Sequence, residues 1–274
     1  LLSGGNSLKG ETVAEIHPTA IVSPAASIAA DVIIGPYVVI EGEVVLDDGV
    51  KVDHHATING KTRIGAGCRI YPYALVGTDP QDLKYRGGDS ELLIGKETII
   101  REYVTISRGT PTGGVITRVG NHCFLMAYCH VAHDCQLGDQ VMMANGATLA
   151  GHIIIENQAI IGGLVAIHQF CRIGCSAMIA GMAGVSQDVP PYCLASGNHS
   201  RLHGLNLIGL RRQGFSKETT RVLKKVFRLL FHRIPGIGLA QAMEQVEKEY
   251  AQFPEVSHIL EFIRGSERGI CRKS

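Results

Sequence analysis

From Ile16 to Val76 every sixth residue is aliphatic, eleven positions without a miss. The beat breaks, returns at Ile94, Ile100 and Ile106, breaks again, and then runs from Val119 to Val185 in twelve unbroken steps. Four residues after each beat the chain prefers a small or β-branched residue, as at Ala20, Val32, Val44, Ala56 and Thr62. A period of six with two inward positions fits neither the 3.6-residue turn of an α-helix nor the simple alternation of a strand. It fits short strands separated by turns, three to a coil of eighteen residues, with coils stacked about 4.8 Å apart. That is a parallel β-helix, and its twenty-six beats supply between eight and nine coils.

The two breaks predict loops inserted at 77–93 and 110–118, and long loops on a solenoid often carry function. After Pro190 and Pro191 the beat stops, and from Ser216 the spacing becomes helical through Val222, Leu223, Val226, Phe227 and Leu230. Further helices are expected over Leu239–Ala251 and after Pro254. The expected class is an all-β solenoid plus α. Residues 1–15 are expected to form a flexible extension, 16–192 the β-helix, 193–214 a connection and 215–274 a small C-terminal helical domain placed to cover the last open coil.

Composition agrees: 33 glycines, no tryptophan and only 19% charged residues suit thin stacked strands. The longest weakly polar run, 173–185, falls short of the ~20 residues that span a bilayer, so no membrane insertion is expected. The first residues lack both a basic start and a long apolar stretch, which leads to the expectation of a cytoplasmic protein. Of eight cysteines, Cys68, Cys123, Cys129, Cys135 and Cys171 fall in the small-residue slot and read as reduced core thiols rather than a disulfide framework. Charge is uneven: residues 201–274 hold 14 Lys and Arg against 7 Asp and Glu, and residues 1–200 hold 12 against 18. The C-terminal part therefore favours an acidic partner.

Adding eighteen to a residue number gives its neighbour one coil on. His133, Gly151 and Gln169 form one such column, Asp134 lies under His152, and His168 flanks Gln169. A single solvated corner histidine is ordinary, but His130, His133, His152 and His168 converge within about two coil spacings, ~10 Å. An imidazole oriented by a carboxylate suits a general base, which assigns His133 as the base with Asp134 beside it. Gly151 offers a bare N–H as an oxyanion donor. Cys135 points inward and is set aside as a nucleophile. The rival reading is a zinc site built from three imidazoles, as in a β-helix hydratase.

A second column, Asn145, Gly163 and Gly181, either relieves turn strain or opens a groove for an alkyl chain. In the helical domain Arg221, Lys224, Lys225 and Arg228 make one basic stripe at i, i+3, i+4 and i+7, preceded by Arg211, Arg212 and Lys217. The stripe suits an acidic protein or a phosphate. Nucleic acid is not expected, since no aromatic residues accompany it.

The motifs HPTA (17–20), QDLKY (81–85), REYVTI (101–106), AHDC (132–135), LAGH (149–152), IIGG (160–163), HQFC (168–171), QDVPPY (187–192) and GNH (197–199) resemble the UDP-N-acetylglucosamine O-acyltransferases that open lipid A biosynthesis. The resemblance runs from about Ile16 to the C-terminus. It implies a left-handed parallel β-helix, a homotrimer with sites between subunits, no cofactor or metal, and transfer of a 3-hydroxyacyl group from acyl carrier protein to the glucosamine 3-hydroxyl of UDP-N-acetylglucosamine. It also implies sugar-nucleotide and acyl contacts from Gln81, Asp82, Lys84, His130, His152, His168, Gln169, Asn206 and Arg212. Gly181 and His199 fall with the acyl-chain groove, and the basic stripe becomes the carrier-protein patch. Ser107 stands where some members carry His, and Gln213 where some carry a basic residue. The nearest alternative is the related N-acyltransferase of the same pathway; it normally carries an extra N-terminal nucleotide-binding domain, and nothing before Ile16 is long enough for one, which speaks against it. A purely structural solenoid would leave QDLKY and the histidines unexplained.

Overall fold

The computed structural model describes residues 13–232 and 237–272. Three parallel sheets wind around one axis: sheet A with eleven strands, sheet B with nine and sheet C with eight. Successive strands in a sheet are one coil apart, so Ile16 pairs with Ile34, Val131 with Leu149 and Leu137 with Ile155. The beat residues and their small partners fill the prism: Ile34, Val38, Ile40, Cys68, Cys135, Ile161 and Ala177 are all buried. The extension expected at 1–15 falls largely outside the described residues, and Glu15 already pairs in the first strand, Glu15–Ile16.

Most strands are two residues long, because each hexad spends the rest on a corner. From Ile34 onward the third residue after most beats turns left-handed even without glycine, as at Tyr37, His55, Tyr128, His152 and Phe170. Left-handed backbone costs about 1–2 kcal/mol at a non-glycine residue. A hydrogen bond to the adjacent coil offsets it: His55 N–H donates to Pro36 O, His152 N–H to His133 O and Phe170 N–H to Gly151 O. The stack thus fixes both the position and the direction of corner side chains.

The inserted loops are narrower than the breaks in the beat. Strands continue through Thr78 and Ser107 and resume at Glu91 and Ile116, leaving loops at 79–90 and 108–115. The segment after residue 192 is not merely a connection. Cys193–Ser196 pairs parallel with Met178 and Ile179, then antiparallel with Arg201–Leu205, so sheet A ends in a hairpin.

Four helices follow: α1 (Leu207–Arg212), α2 (Lys217–Phe231), α3 (Leu239–Tyr250) and α4 (Pro254–Arg264). Ser216 caps α2 by accepting the Thr219 N–H. The helical unit returns to the β-helix through α4: Arg172 lies 4.4 Å over the Phe262 ring, and His258 Nε2 meets Glu156 Oε2 at 2.7 Å. Among the described residues no helix is long and apolar enough to cross a membrane.

Candidate active site

The corner between sheets B and C carries the histidine cluster. Asp134 is one of its left-handed residues, and its side chain is 2% exposed. An unpaired carboxylate would not persist at that burial; this one is held by several donors. Thr110 gives its N–H to Oδ1 at 3.0 Å and its hydroxyl to Oδ2 at 2.7 Å, while His133 Nδ1 faces Oδ2 at 2.8 Å. The Asp134 N–H donates to the buried Thr117 Oγ1, where His152 and Phe170 use a carbonyl. With Nδ1 directed at the carboxylate, Nε2 is the nitrogen left to accept a proton.

His133 lies against the backbone of Gly151, close enough that a Cβ there would fall 2.6 Å from its Cε1. Only glycine fits. The same turn position is proline at Pro18, Pro24, Pro36 and Pro72, which has no N–H, so the fold requires no bond from the Gly151 amide. His152 stands edge-on to His133, ring centroids 5.1 Å apart, and stacks on Phe170 at 4.6 Å. His130 accompanies them from sheet B, its Nδ1 2.7 Å from Thr105 Oγ1. Burial, and secondarily the neighbouring His133, pushes its imidazole below the usual range, favouring the neutral form.

These groups line a cleft of about 1150 Å³ between the corner and the first inserted loop. Gln81, Asp82, Leu83 and Lys84 form the loop side, and Ala132, Thr148, Ala166 and Gln169 extend the floor. His133, His152 and Asp134 hold donor atoms within 4.8 Å of one another, as a metal would need. Asp134 Oδ2 is instead committed to the Thr110 hydroxyl and His133 Nδ1, which makes His133 and Asp134 a hydrogen-bonded pair, with His152 Nε2 3.8 Å from the same oxygen.

The fold thus brings His130, His133, Gly151, His152 and Gln169 together with Gln81, Asp82 and Lys84 of the first inserted loop. It does not bring in the rest. His168 lies outside this cleft, with Nδ1 3.2 Å from Arg268 Nη2. Asn206 is buried and spent within the chain: its Oδ1 caps α1 at Gly209 N–H, and its Nδ2 donates to Ser176 O. Arg212 closes α1, also away from the cleft. Gln213 is internal too, accepting from Ser176 Oγ, and Ser107 is buried beside Asp79 O.

Asn145, Gly163 and Gly181 line the opposite edge of sheet B, with His199 beyond them. Neither glycine is left-handed, and an added Cβ would approach a backbone carbonyl at 3.3 Å, a contact small shifts relieve. Turn strain therefore does not explain them. Arg221, Lys224, Lys225 and Arg228 are exposed on α2, opposite its buried Val222, Leu223, Val226 and Phe227. Arg221 and Lys224 border a second cleft, of about 620 Å³, floored by Leu207, Ile208 and Phe215.

Thr110, Gly113, Thr117, Leu83 and Phe170 were not singled out by sequence reasoning. Phe170 was accessible to it, standing one coil beyond His152; the loop residues follow no period.

Residues 188–271 match the family described as UDP N-acetylglucosamine O-acyltransferase, domain 2, and residues 116–151 match the bacterial transferase hexapeptide repeats. The chain is 51% identical to the acyl-[acyl-carrier-protein]–UDP-N-acetylglucosamine O-acyltransferase of Thermodesulfovibrio yellowstonii, covering 94% of this chain and 99% of that protein. To the protein of the same name from Gloeothece citriformis it is 50% identical, over 92% and 90% of the two chains. Its structure superposes on the UDP-N-acetylglucosamine acyltransferase of Francisella novicida with a TM-score of 0.91 at 38% identity, covering 94% of each chain. On the Arabidopsis enzyme the TM-score is 0.83 at 36% identity, over 94% and 100%. A hexapeptide β-helix that ends in this helical unit, and relatives so alike over nearly their whole length, show that the chain belongs to the acyl-carrier-protein-dependent UDP-N-acetylglucosamine O-acyltransferases.

Proposed function

We propose that His133 is the general base of a direct acyl transfer from a 3-hydroxyacyl carrier protein to UDP-N-acetylglucosamine, the first step of lipid A biosynthesis. Its Nε2 takes the proton of the glucosamine 3-hydroxyl as that oxygen attacks the thioester carbon. The Gly151 N–H receives the developing oxyanion, and collapse expels the carrier thiolate, which takes the proton back from His133. No covalent enzyme intermediate forms; Cys135 has its thiol pushed up to about 12 by burial and is not a nucleophile. The observation that carries this reading is the buried Asp134 facing His133 Nδ1 at 2.8 Å while Gly151 lies under the same ring.

Gln81, Asp82, Lys84, His152 and Gln169 line the cleft as sugar-nucleotide contacts. The second cleft, with an apolar floor and the basic Arg211, Lys217, Arg221 and Lys224 at its rim, suits an acidic carrier protein. The outer face of sheet A is apolar at Ile99, Phe124, Met142, Ile160 and Met178, which supports packing against further copies as a homotrimer. In a trimer His168, Arg212 and His199 can meet a neighbour's cleft, and a carrier-protein donor places the reaction in the cytoplasm.

The test is to incubate the purified chain with UDP-N-acetylglucosamine and a mixed pool of 3-hydroxyacyl carrier proteins. Mass spectrometry should show a 3-O-acylated sugar nucleotide, and light scattering a mass three times that of the chain. Acylation of an amino-sugar acceptor in its place would overturn the assignment of acceptor.

A further inference from the structure

The second inserted loop leaves sheet B after Ser107 and enters sheet C at Ile116. It folds back on itself, since Gly113 and Val115 both donate their N–H to Thr110 O. The fold sets Thr110 directly over Asp134. A Cβ on Gly113 would fall 2.3 Å from Asp134 Oδ2 and 2.5 Å from His152 Cε1, so the loop is seated on the carboxylate and the second imidazole together.

Two protons compete for Asp134 Oδ2: the Thr110 hydroxyl at 2.7 Å and His133 Nδ1–H at 2.8 Å. A hydroxyl donating to an ionised carboxylate disperses its charge and leaves less for the imidazole. It also fixes the oxygen that the ring must face.

We infer that Thr110 is a positioning residue for the transfer: its hydroxyl aims Asp134 and takes up part of the carboxylate charge that would otherwise act on His133. The inference rests on the reading of His133 as base. The other titratable groups facing His133 are His130 on sheet B, His152 on the next coil, and Asp82 and Lys84 on the first inserted loop. None of them touches the Thr110 hydroxyl, so removing that hydroxyl alters Asp134 first.

The experiment is kcat/KM against pH for T110V and T110S, with H133A as reference. In T110V the carboxylate keeps the backbone N–H on Oδ1 but gives more of its charge to His133, so the acid limb should move to higher pH and the plateau fall about tenfold. T110S, which keeps the hydroxyl, should retain the wild-type profile. If the β-branched replacement does not fold, T110A tests the same shift, and NMR titration of the His133 ring reads it without turnover. A T110V or T110A limb at the wild-type pH, with H133A inactive, would sink the Thr110 inference and leave the base reading intact. Full activity in H133A would remove both.

Discussion

The imidazole of His152 lies nearly flat on the ring of Phe170, centroids 4.6 Å apart and planes 13° from parallel. These residues are one coil apart and both occupy the left-handed corner position. The stacking holds His152 edge-on to His133, where it can contact substrate but not turn into the base. An aromatic pair of this kind contributes about 0.5–1.5 kcal/mol. Phe170→Ala is therefore expected to lower kcat/KM by roughly three- to tenfold without changing the thermal midpoint by more than a few degrees. Steady-state kinetics beside a melting curve check both halves.

Gly151→Ala tests the packing of the base on the turn. The added Cβ would meet the ring of His133 at under 3 Å, and since Gly151 is not left-handed the backbone itself accepts alanine. The ring must swing away from Asp134 or from the cleft. The expected result is a folded protein whose turnover falls about 10²-fold, as when an oxyanion donor or base is misplaced. Circular dichroism would confirm folding, and an undiminished rate would show that the ring has room.

Gly181→Met should shift preference toward shorter acyl chains. Gly181 and Gly163 face outward on one edge of sheet B without left-handed backbone, so their lack of side chain leaves space beside the floor residues Thr148 and Ala166. Product masses from a pool of carrier-protein donors measure the profile, and an unchanged distribution would place the acyl chain elsewhere.

The contact between α4 and the coils carries a pH signature. Hydrogen bonding to Cys175, and then to Glu156, pushes the His258 imidazole up to about 10, above its ordinary 6.5. A folded-state value above the unfolded one stabilises the protein fully below about pH 6.5, and this contribution is lost as pH rises through about 10. Thermal midpoints should therefore fall between pH 7 and 10, and His258→Gln should flatten that slope. An identical slope in the variant would assign it to other groups.

The coils were legible in the sequence because a prism this narrow admits only two inward side chains per hexad, so burial itself writes the period. The same stacking made the His133, Gly151 and Gln169 column readable, as well as Asp134 under His152. What it left out is non-periodic. Thr110 and Gly113 reach Asp134 through a loop whose return path no repeat specifies, and His168 meets Arg268 a hundred residues away. The resemblance implies a nucleotide contact from Asn206, whose amide caps α1 and bonds Ser176 O. Nor did the silence after Pro190 and Pro191 mark the end of the sheet, since Cys193–Ser196 adds to it in a changed register.

The central claim is that His133, oriented by Asp134, removes the acceptor proton. It is tested most directly by the rate of acyl transfer from carrier protein to UDP-N-acetylglucosamine in purified His133→Ala. A folded variant with turnover lowered at least about 10²–10⁴-fold is the expected result. A rate near that of the unaltered protein would contradict it.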